Sequence, residues 1–193
     1  MAYETYTTDA LVCGLWGTRE HDASLRLLTR DAGMLYARAG GVRADKSKLR
    51  YGLQEFSLSR VTLVHGRADW RVTGAVAIEN FYFDAQARSA RASVLTSMRF
   101  IRRFIHGSEV HQELFDMVVD GMRTLAGGGG ARDEQLFLLR LLHYLGYVSP
   151  QPVYAQLLHT QTLAEACALC GVGQALPPAI GKTIENALAA SHL

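Results

Sequence analysis

The sequence predicts an α+β protein in which a small five-stranded β-barrel is followed by a C-terminal α-helical bundle. Apolar and polar residues alternate with a period of two up to about residue 83, which is typical of half-buried strands. From residue 84 onward, apolar residues recur three and four positions apart, which is typical of amphipathic helices. We therefore expect two domains, residues 1–83 and residues 84–193.

The first domain contains five apolar stretches of strand length, separated by turn-forming residues. Residues 31–33 (Asp-Ala-Gly) predict a tight turn, and the glycines at 40 and 41 end the third strand. In the fourth strand the apolar phase slips between Leu58 and Val61, which indicates a bulge. Five short strands of this kind favour a closed barrel over an open sheet. The predicted strands are residues 10–16, 24–30, 34–39, 56–64 and 70–79.

The second domain is predicted to contain two long helices, a central apolar helix and several short ones. Ser108 and Asp133 are candidate N-caps, and the glycines at 127–130 predict a connector between helices. Residues 136–145 are apolar on nearly every face, which predicts the buried centre of a bundle. Shorter helices are expected at residues 154–159 and 163–169, and a last one after the prolines at 177 and 178.

Composition excludes several classes of protein. With 193 residues, 49% of them hydrophobic and 20% charged, the chain can bury a core and is not a disordered tail. No apolar stretch approaches the roughly 18 residues that a membrane helix requires. The first residues lack the basic and apolar regions of a signal peptide. Three cysteines cannot form a disulfide framework, and an odd count suits a reducing cytosol. We therefore expect a cytoplasmic protein, and the short apolar stretches lead us to expect no membrane partner.

Positive charge is concentrated in residues 38–50, although the net charge of the chain is only +2. Five basic residues there face a single acid, Asp45, and Tyr36 and Tyr51 flank them. Cations that meet phosphates, together with rings on which bases stack, are what single-stranded DNA requires. A solvated basic loop without a ligand is an equal alternative. The basic residues are Arg38, Arg43, Lys46, Lys48 and Arg50.

A second cluster of arginines lies on the first long helix. Arg88, Arg91, Arg99, Arg102 and Arg103 have no acid between them. The last three share a helix face, because they are three and four residues apart. They could extend a phosphate track or bind an acidic peptide, and a simple polar helix face is the other interpretation.

Catalytic and metal-binding motifs are mostly absent. Cys167 and Cys170 have the spacing of half a zinc site, with Cys13 far away in sequence and His159 a conceivable third ligand. We expect no bound metal and no cofactor. His106 and His111 are five residues apart and so lie on different helix faces, unlike the pair in HExxH. Without a nucleophile elbow, a Walker loop or a dinucleotide fingerprint, we expect a protein that is not an enzyme.

Four segments of the chain carry a family resemblance when they are taken in order. The segments are residues 27–33 (LLTRDAG), 40–49 (GGVRADKSKL), 53–56 (LQEF) and 137–147 (FLLRLLHYLGY). Together they resemble the RecO family of bacterial DNA repair and recombination mediators. Gly40 stands where a lysine is common in that family, Glu55 where a proline is common, and Leu138 where a glutamate is common.

The resemblance implies a fold, a function and partners. It implies that the barrel is an OB-fold, that the protein binds single- and double-stranded DNA, and that it anneals complementary strands. It also implies work with the partner RecR to load RecA onto strands coated by single-strand-binding protein, capture of the acidic C-terminal tail of that coating protein, and association with the nucleoid. The family's basic DNA-contacting segment corresponds to Arg43, Lys46, Lys48 and Arg50, and its four-cysteine zinc module is reduced here to Cys167 and Cys170.

Two alternatives remain open at this point. The helical domain could be a protein-interaction adaptor that captures an acidic peptide tail, in which case DNA binding would be incidental. An unrecognised metalloenzyme is the third hypothesis, and it requires stoichiometric metal.

Overall fold

The computed structural model describes residues 5–17, 21–44, 46–66, 69–109, 111–171 and 174–190. It divides the chain into two compact units. The barrel unit contains the residues up to Asp84 together with Ile105–Phe115, and the helical unit contains Ala85–Phe104 and the residues from Asp116 onward. Residues 105–115 therefore belong to the barrel unit, although they lie beyond the change from strand to helix in the sequence.

The barrel unit is a closed five-stranded barrel with the strand order β1-β2-β3-β5-β4. All neighbouring strands are antiparallel except β3 and β5, which pair in parallel over only two residue pairs. This arrangement confirms the predicted five-stranded OB-fold barrel. The strands are β1 (Thr5–Gly17), β2 (Ala23–Thr29), β3 (Gly33–Ala39), β4 (Ser57–His65) and β5 (Trp70–Asn80).

The barrel core consists of the inward-facing residues of all five strands and of two residues from the long β3–β4 connection. Leu25 and Leu27 of β2 are fully buried, as the period of two predicts. Val42 and Leu53 belong to the same core cluster, and Leu49 packs against it. Both ends of the connection are therefore anchored in the barrel, and its polar residues lie on the surface between these anchors.

The ladder of β4 with β5 is irregular where a bulge is predicted in residues 56–64, but the extra residues lie on β5 and not on β4. Ser57, Leu58 and Ser59 are all buried, and β4 alternates regularly only from Ser59 onward. Ser59 Oγ donates to the carbonyl oxygen of Gly52 at 2.6 Å. The register shifts of this ladder leave Thr73 and Ile78 of β5 without a partner in β4. The apolar pattern slips because small polar residues occupy inward positions, not because the strand carries an extra residue.

Residues 105–109 form a strap that lies against the first half of β3. Met34 N–H donates to the carbonyl oxygen of Gly107 at 2.9 Å, along a part of β3 that β5 does not pair. The next helix begins only at Gln112, so Ser108 is not its N-cap and that prediction is wrong. The strap supplies a hydrogen bond that the short β3–β5 pairing leaves unmade.

Gly33, at the start of β3, is required by the strap, and its replacement by alanine tests this. Gly33 has φ +64°, and a Cβ there would overlap the carbonyl oxygen of Glu109. The positive φ alone costs about 1–2 kcal/mol for alanine, and forced overlap typically adds about 1–3 kcal/mol. We expect Gly33→Ala to lower the free energy of unfolding by about 3 kcal/mol in urea denaturation.

Gly107→Ala is the matched control for this prediction. Gly107 also has a positive φ, +83°, but a Cβ there would meet nothing within 4 Å. It should therefore show only the backbone cost of about 1–2 kcal/mol. Equal losses in the two variants would mean that close packing of the strap against Gly33 does not contribute to stability.

The helical unit is built around one central helix. The helix α4 contacts α2, α5, α6 and α7, and its residues 136–142 are buried, as predicted. Its N-cap is Gly130, whose N–H donates to the Asp133 carboxylate at 3.0 Å, so the predicted cap at Asp133 is wrong by one turn. The helices are α1 (Phe81–Asp84, in the barrel unit), α2 (Arg88–Phe104), α3 (Gln112–Ala126), α4 (Ala131–Tyr144), α5 (Ala155–Leu158), α6 (Leu163–Leu169) and α7 (Pro178–Ala190).

One buried charge interrupts the apolar surface of α4. Arg140 is only 6% exposed, and its guanidinium donates to the carbonyl oxygens of Thr162 at 2.6 Å and Thr160 at 2.7 Å, and to Thr160 Oγ1. Burial lowers the pKa of Arg140, whereas the nearby charges of Asp120 and Glu165 raise it. Arg140 therefore holds the α5–α6 connection against the central helix.

Within the described residues, no helix combines the length and the apolar character that crossing a bilayer requires.

Candidate nucleic-acid interface

The outer face of the barrel presents a row of side chains across four strands. The strand register aligns Trp16 of β1 with Ser24 of β2, Ser24 with Arg38 of β3, and Arg38 with Arg71 of β5. Ser24 is half-buried and the other three are exposed. An aromatic ring and two guanidinium groups therefore lie in one line across the sheet.

The neighbouring row completes what we call the aromatic face, defined by Trp16, Arg26 and Tyr36. Arg26 pairs with Gly14 on one side and with Tyr36 on the other. Because Gly14 has no side chain, the Trp16 ring lies over it, and a Cβ at residue 14 would be 3.4 Å from that ring. The Trp16 and Tyr36 rings meet edge to face with centroids 6.3 Å apart, and they are 44% and 58% exposed. Two rings are thus presented to solvent from adjoining rows of the sheet.

The strap fixes Arg26 within this face. Its Nη2 donates to the carbonyl oxygen of Ile105 at 2.8 Å and lies 3.2 Å from Nδ1 of His106. The guanidinium carbon is 5.8 Å from the centre of the Tyr36 ring, within the range of a cation–π contact. Arg26 is therefore a positioned cation between an exposed ring and the strap.

The predicted cluster of basic residues lies mainly in the loop that follows β3, and we call residues 40–51 the basic loop. Lys46, Lys48 and Arg50 are exposed, and Tyr51 is 73% exposed. The acid of this segment, Asp45, lies outside the described residues. Successive backbone bonds, such as Ser47 N–H to the carbonyl of Ala44 at 3.0 Å, fold the loop into turns. The structure thus presents three cations and a ring on one short segment.

Arg43 connects the basic loop to the β1–β2 connection. Its N–H donates to the carbonyl oxygen of His21 at 3.0 Å. Its guanidinium lies against the end of β1, since a Cβ at Gly17 would be only 2.5 Å from Nη1. Gly17 directly follows Trp16, so the first part of the basic loop adjoins the aromatic face.

Arg38 is less available for a phosphate than the charge count of residues 38–50 suggests. It forms an ion pair with Asp69 at 3.0 Å, and Asp69 lies outside the stretch in which charge was counted. Arg38 and Arg71 line a groove of about 580 Å³ between the end of β3 and β5, together with Asp22 and the apolar Leu49. The pair is exposed, so it screens Arg38 only partly and is readily exchanged for a phosphate.

The α2 arginines lie in the helical unit, and Arg91 and Arg103 bind backbone carbonyl oxygens there. Arg103 Nη2 is 3.3 Å from the carbonyl oxygen of Leu188, near the end of α7, and Arg91 Nε donates to the carbonyl of Ala85 at 2.8 Å. Arg99 is exposed and Arg102 is half-buried. Cations at these positions favour the negative ends of helices. At least part of this cluster therefore has a structural role.

The state of the Cys167 thiol disfavours metal binding by the pair Cys167 and Cys170. Burial and a hydrogen bond with the Asp133 carboxylate raise the pKa of the Cys167 thiol to about 12, and metals bind the thiolate. In the part of the chain that the structure describes, no cluster of three His, Cys, Asp or Glu side chains could hold a metal ion. The sequence-based expectation of no bound zinc stays a prediction.

Sequence reasoning missed Trp16, Arg26 and Arg71 as members of the candidate interface. Each lies at an outward position of its strand, which the period of two indicates. The alternation within one strand does not reveal which residues of other strands lie beside it. Their grouping with Tyr36 and Arg38 became visible only with the strand register.

Comparisons with known proteins agree with this fold. Residues 1–81 match the family model described as "Recombination protein O N terminal". The chain is similar to the DNA repair protein RecO of Pelotomaculum thermopropionicum, with 30% identity over 158 residues, 81% of this chain and 60% of the relative. The DNA repair protein RecO of Heliobacterium modesticaldum is 34% identical over 142 residues, 74% of this chain and 52% of the relative. The chain thus spans little more than half the length of these curated relatives.

Proposed function

This chain belongs to the RecO family, and on that premise we propose that it is a DNA repair and recombination protein that binds single-stranded DNA with its barrel unit. The observation that carries the proposal is the aromatic face beside the basic loop. Trp16 and Tyr36 offer two exposed rings for bases, and Lys46, Lys48 and Arg50 offer cations for phosphates. A duplex hides its base faces, so this combination favours single strands and leaves duplex DNA to the cations alone.

The proposed mechanism is screening of charge and holding of bases, without bond chemistry. Cations that neutralise the phosphates of two strands lower their mutual repulsion, and proximity then allows complementary bases to pair. Such annealing requires no catalytic residue. By family membership, we extend the proposal to cooperation with RecR in loading RecA onto strands coated by single-strand-binding protein.

Removal of both rings of the aromatic face is expected to weaken binding without changing its dependence on salt. Base–ring stacking contributes about 1–3 kcal/mol per base. We therefore expect Trp16→Ala with Tyr36→Ala to lower affinity for a labelled single-stranded oligonucleotide at least about tenfold. Fluorescence anisotropy at several salt concentrations should give parallel lines of log affinity against log salt, since no phosphate contact is lost.

Phe83→Ala provides the control for loss of an exposed ring. Phe83 is 62% exposed and belongs to the same unit, but it lies on α1 and not on the aromatic face. Its removal should leave the affinity within about twofold of the wild type. If the wild-type protein does not bind the oligonucleotide at low salt, or if the double variant binds as tightly as it does, the proposed surface is wrong.

The helical unit supports a second candidate function, capture of an acidic peptide with an aromatic end. Phe100 stacks on Phe104 with centroids 5.8 Å apart, and Tyr147 meets Phe104 edge to face at 5.1 Å. Arg103 lies 5.6 Å from the centre of the Phe104 ring, and Arg99 is exposed one turn earlier. An aromatic side chain and a carboxylate could both bind at such a cluster. The acidic tail of a single-strand-binding protein has this chemistry, so the two functions are compatible.

A further inference from the structure

A pocket of about 300 Å³ lies where β1 and β5 begin and β4 ends. It is lined by strand ends of β1, β4 and β5 and by the β2–β3 turn. The proposed DNA interface uses none of these residues. The lining residues are Thr5, Tyr6, Asp31, Ala32, His65 and Trp70.

Three aromatic rings form the walls of this pocket. Trp70 opens β5 and pairs with His65 at the end of β4. Its ring meets the His65 ring edge to face with centroids 4.7 Å apart, and the Tyr6 ring is tilted by 50° at 6.5 Å. All three strands contribute to the barrel sheet, so the rings are held by the backbone ladder. Rings in different planes around one space present electron-rich faces to whatever enters it.

The charge that lines the pocket is negative. Asp31 is its carboxylate, and neither lysine nor arginine is among its described lining residues. The carboxylate is fixed on both sides, because Oδ2 accepts from Thr8 Oγ1 at 2.8 Å and Oδ1 accepts from Gln112 Nε2 at 2.9 Å. The Tyr6 hydroxyl also donates to this carboxylate, which leaves one of its four lone pairs for a further donor. Burial, and after it the charge of Asp31, raises the pKa of Tyr6.

We propose that this pocket binds an arginine side chain of a partner protein. A guanidinium gains from the faces of the rings through cation–π contact and from the carboxylate through an N–H donor. A phosphate would be repelled by Asp31. A nucleobase would gain from stacking but would bring its own phosphates toward the carboxylate. Arginine is thus the side chain that uses both the rings and the charge.

The test uses Trp70 as its own reporter in the 193-residue chain. The sequence has two tryptophans, so Trp16→Phe leaves Trp70 as the single indole. N-acetyl-arginine amide should change Trp70 fluorescence saturably, and the neutral, nearly isosteric citrulline amide should bind at least about tenfold more weakly. In the same background, Asp31→Asn should weaken arginine binding at least about tenfold. Asp84→Asn, which removes an exposed carboxylate of the same unit beyond the other end of β5, should leave it unchanged.

Several outcomes would overturn the proposal. They are no saturable change with arginine, equal binding of arginine and citrulline, unchanged binding in Asp31→Asn, or tighter binding of deoxynucleosides than of arginine. The last outcome would assign the pocket to a base instead. Should Asp31→Asn fail to fold, as judged by its melting curve, the arginine-to-citrulline ratio still decides the question, because it needs no change at Asp31.

Discussion

Replacement of Arg140 by leucine is expected to lower the free energy of unfolding by about 3 kcal/mol or more, because it removes a buried cation from partners that have no substitute. The guanidinium donates to the carbonyl oxygens of Thr160 and Thr162 and to the Thr160 hydroxyl, all beside the central helix. Leucine fills part of the space but donates nothing. These acceptors would remain buried or would pull the α5–α6 connection toward water.

The measurement is urea denaturation together with a melting curve. A loss of about 3 kcal/mol corresponds to a fall in melting temperature of about 6–12 °C for a chain of this size. The structure suggests that the α5–α6 connection opens first. Hydrogen exchange should therefore become faster in residues 160–163 than in the α4 core.

Arg132→Leu is the control, because Arg132 lies on the same helix, α4, about two turns before Arg140. Arg132 is half-buried and donates to one carbonyl, that of Cys167 at 2.8 Å. Its loss should cost about 1 kcal/mol, the net value of an ordinary hydrogen bond. If both leucine variants lose the same free energy, burial of the Arg140 charge does not hold the connection in place.

Periodicity predicted the elements well where side-chain polarity follows burial. The β2 pattern and the apolar run of α4 place Leu25, Leu27 and Leu139 inside, and the structure confirms this. The pattern misleads where a polar side chain is buried. Ser57 and Ser59 are polar but buried, and they imitate a phase slip. Arg140 is charged but buried, and its partners lie twenty residues away, so no local window could reveal it.

The interface was only partly predictable for a related reason. Charge density is a property of a short segment, so Lys46, Lys48 and Arg50 could be found by counting. The aromatic face depends on register between β1, β2 and β3, which a single sequence does not provide. The ion pair of Arg38 with Asp69 depends on the parallel approach of β3 and β5. The strap was invisible because residues 105–109 show neither period.

Charge reversal in the basic loop is expected to have the largest effect on function. Lys46→Glu with Lys48→Glu should reduce affinity for single-stranded DNA at least about tenfold, or about 1.4 kcal/mol. With each lost phosphate contact, fewer counterions are released when DNA binds. The slope of log affinity against log salt should therefore become shallower by about 1.4, at about 0.7 for each contact on a single strand. Fluorescence anisotropy at four or more salt concentrations measures both quantities.

A control with the same change in net charge separates local contact from general attraction. Arg88→Glu with Lys182→Glu reverses two exposed cations of the helical unit. It should weaken binding less than the loop variant and should leave the slope nearly unchanged. If the two double variants behave alike, the DNA senses only the total charge of the protein, and the basic loop is not the interface. If the folded loop variant binds DNA normally but the Arg88 and Lys182 variant does not, the interface lies in the helical unit.

The two kinds of contact differ in how affinity depends on salt. Loss of the Trp16 and Tyr36 rings should leave the slope of log affinity against log salt unchanged, whereas reversal of Lys46 and Lys48 should make it shallower. Comparison of the two slopes therefore distinguishes bases that bind rings from phosphates that bind lysines.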